Sequence, residues 1–105
     1  MMELGGNITL VGFKEREVAE LIVVKKIVGQ YARKMSDTIN GFEHLTVSLK
    51  EVHKSVDGHA KFELHAKALI HGKAFLSEEI SPNIFMALDD VLKRVVEQIR
   101  REQGA

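Results

Sequence analysis

Eight cations stand in two short segments of the chain: Lys25, Lys26, Arg33 and Lys34, then Lys93, Arg94, Arg100 and Arg101. Lys supplies point charges and Arg forked donors, so clusters of this kind suit the binding of phosphate groups. The charge is unevenly spread. Residues 25–34 carry net +4 and no acid, and residues 91–105 carry net +2, whereas residues 1–24 carry net −2 and residues 78–90 net −4. A second reading of the same residues is available, because cations near helix C-termini complement the helix dipole and keep a helix soluble. Overall, 15 basic and 15 acidic residues cancel. That balance argues against nucleic-acid binding by bulk charge, but not against a local basic stripe.

Signatures of catalysis are absent. Gly5-Gly6 and Gly72 form no phosphate-cradling loop, and there is neither a nucleophile elbow nor a zinc-protease motif. Asp89 and Asp90 are adjacent on a helix and point about 100° apart, which opposes a joint catalytic role. The chain has no Cys, so disulfides, thiolate metal sites and thiol catalysis are excluded. Of the five His, His59 and His65 share a strand face but lie about 20 Å apart along it. Either would need a cross-strand partner such as His44 or His53 to bind a metal. The alternatives are polar residues on a wet sheet face, or stacking and hydrogen-bonding groups for RNA.

These side chains need a scaffold, and the pattern supplies one. With 105 residues, 45% of them hydrophobic, the chain fits one domain with one core. No apolar run reaches the length of a membrane span. Met1–Asn7 has neither the basic nor the apolar region of a secretory signal, so a cytoplasmic protein is expected. Asn7–Val11 reads as a strand. Val18, Leu21, Val24, Val28, Tyr31, Ala32 and Met35 form the apolar stripe of a helix from about Lys14 to about Met35. On its polar side Lys26, Gln30 and Arg33 share a narrow sector, with Lys34 at the edge. Leu45–Lys50 alternates as a half-buried strand. Ser55–Gly58 is a turn cluster. Ala60, Phe62, Leu64, Ala66 and Ala68 line one face of the clearest strand, with His59, Lys61, Glu63, His65 and Lys67 on the other. His71–Lys73 marks a second turn, followed by a strand from about Ala74 to Ile80. Ser81 and Pro82 look like the cap and first residue of a final helix. Ile84, Phe85, Leu88, Val91, Leu92, Val95, Val96 and Ile99 are its apolar face. Lys93 and Arg100 line one side of its wet face, and Arg94 and Arg101 the other.

The expected fold is an α+β two-layer sandwich in the order β-α-β-β-β-α. A four-stranded sheet carries two helices on one face, and the last three strands form a meander. The first strand joins its neighbour through a right-handed crossover. One feature does not fit a covered helix. Ile22 and Val23 flank the polar sector, so either another segment covers them or they form a protein interface, with a second copy of the chain as one partner.

The order of elements, together with Asn83–Arg100, resembles the ribosome hibernation promoting factors, the ribosome-associated inhibitor family related to the sigma-54 modulation proteins. In the final helix Phe85, Ala87, Leu88, Asp89, Arg94, Gln98, Ile99 and Arg100 are similar to the family pattern. Gly72–Glu79 resembles its last strand and acidic exit, and Asn7-Ile8-Thr9 its opening strand. Gly12–Glu17 and Val23-Val24 depart from it, as in a short form or a diverged relative. The resemblance implies a fold like that of double-stranded RNA-binding domains. It also implies a non-enzymatic protein, without cofactor or metal, that docks on ribosomal RNA in the decoding channel of the small ribosomal subunit and inhibits translation in resting or stressed cells. The RNA contacts would fall to Lys25, Lys26, Arg33, Lys34, Lys93, Arg94, Arg100 and Arg101. No DNA or membrane partner is implied. The rival reading is a protein-interaction or homodimerisation module of the same fold.

Overall fold

The computed structural model describes residues 1–52 and 60–104. Its sheet has five strands in the order β1-β2-β3-β4-β5: β1 (Met2–Leu4), β2 (Ile8–Val11), β3 (Phe42–Val52), β4 (Lys61–Ile70) and β5 (Lys73–Ser81). Helix α1 (Val18–Thr38) connects β2 to β3, and α2 (Ile84–Glu102) follows β5. The α+β class and the meander are as expected, and β2 runs parallel to β3 across the helical connection. The fifth strand is a correction to the expected four. Met2-Glu3-Leu4 is too short to show alternation, and it becomes a strand only because β2 offers its free edge, with Met2 opposite Leu10. The turn expected at Ser55–Gly58, together with His53 and His59, lies outside the described residues.

The alternating patterns translate into one buried face. Ile8, Leu10, Leu45, Val47, Leu49, Leu64, Ala66 and Ala68 are buried, and so are Val24, Val28, Ala32 and Met35 of α1. From α2 the buried set takes Ile84, Ala87, Leu88, Val91, Leu92, Val95, Val96 and Ile99. Among the described residues no polar or charged side chain is buried. Every described ionisable group therefore sits where water or a partner can reach it.

Three boundaries differ from expectation. Helix α1 starts at Val18, not near Lys14, because Phe13 is spent as a core anchor and the Arg16 amide closes a turn on the Phe13 carbonyl at 3.1 Å. Gly12 makes that entry. Its φ is +84°, and a Cβ there would overlap the Leu49 carbonyl. Val18, expected on the apolar stripe, is 75% exposed because the helix begins there and its first turn lies clear of the sheet. At the far end α1 runs on to Thr38. Helix α2 is capped by Asn83 rather than Ser81. The Asn83 side-chain oxygen accepts from the Phe85 and Met86 amides at 3.0 and 3.1 Å. Ser81 Oγ instead accepts from the Asn83 amide at 3.1 Å, bridging Pro82. The His71-Gly72 turn is as read: positive φ at both residues, +50° and +76°, gives the two-residue hairpin that joins β4 and β5.

Candidate functional site

The two helices lie side by side on the buried face of the sheet, and two contacts fix their relative direction. Tyr31 donates its hydroxyl hydrogen to Asp89 Oδ1 at 2.9 Å, and nine residues further along α1's path Asn40 accepts through its carbonyl from Gln103 Nε2 at 3.1 Å. The helices therefore run parallel, and their basic C-terminal halves lie at the same end. This brings Lys34 of α1 together with Lys93 and Arg100 of α2, in a groove of about 330 Å³ completed by Tyr31, Asp89, Val96 and Glu97.

Not all eight predicted cations share that groove. At about 100° per residue, Lys26 and Arg33 lie within about 20° of each other on the outer crest of α1, roughly 80–100° around from Lys34. Lys25 is about 180° from Lys34, on the far flank. Arg94 and Arg101 occupy the other side of α2, toward β5. Arg94 pairs with Glu79 at 2.9 Å, and Arg101 approaches Glu97 at 3.9 Å. The single stripe expected from eight cations is thus divided: a groove trio, a crest pair, one outlier, and two residues on the β5 side of α2. Lys25, Lys26, Arg33, Lys34, Lys93 and Arg100 are exposed and make no ion pair with a described residue.

The dipole explanation divides along the same line. In α2, Arg100 and Arg101 do stand in the last turn. In α1 the last turn has no basic residue and carries Asp37, since the helix continues past Lys34 to Thr38. The charges of residues 25–34 therefore do not cap their helix.

Carboxylates also line the groove. Asp89 is engaged by Tyr31, whose own pKa is pushed up to about 12, first by burial and then by the hydrogen bond to Asp89 and the charges of Asp89 and Asp90. Tyr31 thus remains a donor at all ordinary pH values and pins Asp89 to the floor between the helices. The sequence marks Asp89 only as an unsuited catalytic pair with Asp90 and as part of the family-like pattern, and it does not mark Tyr31 as part of a site. Tyr31 stands at the edge of the apolar stripe, where its ring packs inward and its hydroxyl reaches Asp89.

The outer face of the sheet is uncovered by either helix and carries His44 and His65. His44 Nε2 lies 2.8 Å from Thr9 Oγ1. His65 lies between Glu63 at 3.3 Å and Glu78 at 3.6 Å. Among the described residues no group of three His, Asp or Glu side chains is arranged to hold a metal ion. The residues expected to be covered or to bind protein are open: Ile22 is 63% exposed and Val23 41%. Among the described residues no helix is long and apolar enough to cross a membrane.

No protein-family model matches the chain, and no curated protein matches it in sequence. Among solved structures it is similar to a ribosomal subunit interface protein from Coxiella burnetii. The TM-score is 0.70, and the match covers 94% of this chain and 99% of that one at 10% identity. At this identity the likeness is one of fold. It supports, at that level, the resemblance drawn from the order of elements and the last helix.

Proposed function

We propose that this chain is a non-enzymatic, ribosome-associated RNA-binding protein of the hibernation-factor type. It inhibits translation by occupying the decoding channel of the small ribosomal subunit. The observation that carries this reading is the convergence of Lys34, Lys93 and Arg100 in one groove between parallel helices, with Lys26 and Arg33 on the adjoining crest. The full-length likeness in fold to a ribosomal subunit interface protein supports it. The mechanism is occlusion: cations displace counterions from phosphates, and the body of the domain, 44 × 25 × 18 Å, fills space that mRNA and tRNA would need. Co-sedimentation with small ribosomal subunits at low and high salt tests it. Binding at low salt that weakens steeply with added salt is expected; failure to bind at low salt ends the proposal.

Val18, Ile22 and Val23 favour a second reading, in which this surface of α1 joins two copies of the chain. Sedimentation equilibrium of the wild type and of Val23→Glu distinguishes the two. A dimer lost in the variant supports self-association, and a monomer in both removes it.

A further inference from the structure

Gly29 stands in the middle of the 21-residue α1, where glycine lowers helix stability relative to alanine. Two ordinary reasons for a mid-helix glycine are missing. Its φ is not positive, and a Cβ added to it would meet nothing within 4 Å. Neither backbone geometry nor packing inside the protein calls for the missing side chain. Its exposed neighbours within one turn are mainly charged, while Ile22 and Val18 continue the same stripe toward the start of the helix. Lys25 and Lys26 lie one turn before Gly29 and Arg33 one turn after, all three exposed and without an ion-pair partner among the described residues. These are the i−4, i−3 and i+4 neighbours, the positions that border residue i on a helix surface.

We infer that Gly29 is the floor of a phosphate-backbone seat. There the sugar-phosphate chain of RNA lies directly against bare helix, inside a ring formed by Lys25, Lys26 and Arg33. The occupant follows from the charge. Residues 25–34 carry net +4 and no acid. A protein helix laid on this face would bury cations without partners, which is unfavourable, whereas a polyanion supplies the partners and releases its counterions. The seat also accounts for Lys25, which the interhelical groove leaves on the opposite flank of α1. It rests on the RNA-binding reading above but is a separate contact, about 140° around the helix from Lys34.

The test uses a pair of readouts that a purely structural role would move together. Gly29→Ala and Gly29→Leu are compared with wild type for thermal midpoint and for affinity to purified small ribosomal subunits across a salt series. Gly29→Ala is expected to raise the midpoint by about 2–8 °C, from the helix propensity gained in a domain of this size. At the same time affinity falls, about threefold for Ala with a slope change of less than one phosphate contact, and about tenfold or more for Leu with the slope shallower by one to two contacts. If wild type binds and both variants bind equally well, the seat is refuted while the RNA-binding reading stands. If wild type does not bind at low salt, both fall. If the Leu variant changes oligomeric state and not RNA affinity, the bare surface belongs to a protein contact and the seat is again refuted.

Discussion

Replacing Lys34, Lys93 and Arg100 together by Ala removes the groove trio and leaves the rest of the charge in place. Each phosphate neutralised contributes about 0.7 to 0.9 to the slope of log affinity against log salt. If the trio, Lys25, Lys26 and Arg33 each meet one phosphate, the wild-type slope is about −4.2 to −5.4, and affinity drops roughly 300- to 1,800-fold between 50 and 200 mM salt. The triple variant loses about 2.1 to 2.7 of that slope, equivalent to roughly 100- to 500-fold in affinity at 0.1 M salt. Asp89 and Glu97 line the same groove, and their charge trims these figures. All three substituted residues are exposed, so the thermal midpoint should stay close to wild type. The comparison variant is Arg94→Ala with Arg101→Ala. Those residues lie on the β5 side of α2, near Glu79 and Glu97, and their loss should change the slope by less than one contact. The assay is filter binding or sedimentation with small ribosomal subunits at four or more salt concentrations. An unchanged slope in the triple variant would show that the groove does not meet phosphate. An equal loss in the double variant would show that charge acts without regard to place.

Tyr31→Phe removes the hydroxyl that holds Asp89. Because the Tyr31 pKa is raised in the folded state, its contribution is complete below the unfolded value near 10 and disappears as pH rises through about 12. Chemical denaturation at stepped alkaline pH should therefore show a decline above pH 10 in wild type that is smaller in the variant. Asn83→Ala deletes the acceptor for two amides at the start of α2 and should cost about 0.5–2 kcal/mol, read as a lower denaturation midpoint, whereas Ser81→Ala should do less. Gly12→Ala combines a φ of +84° with overlap on the Leu49 carbonyl, so a loss of at least about 1–3 kcal/mol is expected in the same measurement.

What was legible in the chain and what was not follows from the range of the forces involved. The two helices, the meander and the buried face were readable because each rests on periodicity within one element: Leu64, Ala66 and Ala68 alternate whether or not anything is known of their neighbours. The edges were less readable because they are set by contacts between elements. Phe13 looks like helix until it is needed in the core. Met2–Leu4 is a strand only beside β2. Ser81 looks like a cap, but Asn83 lies closer to the first free amides and takes the position.

The site shows the same division more sharply. Counting charges placed eight cations on two helices and put Arg94 and Arg101 on the opposite side of α2 from Lys93 and Arg100, all of which follows from helical spacing. Spacing says nothing about which side of one helix meets the other. That depends on parallel packing fixed through Tyr31 and Asp89 and through Asn40 and Gln103, pairs that lie 58 and 63 residues apart in sequence. Once the helices are parallel, the trio is determined, since only one flank of each helix can face the groove. The other flank of α2 then meets β5, where Glu79 takes Arg94. Had the helices packed antiparallel, Lys34 and Arg100 would have been carried toward opposite ends of the helix pair, and the present trio would not form. The proposed RNA contact thus depends less on how many basic residues the chain holds than on the connection through β5, which returns the chain so that α2 starts beside the middle of α1 and runs in the same direction.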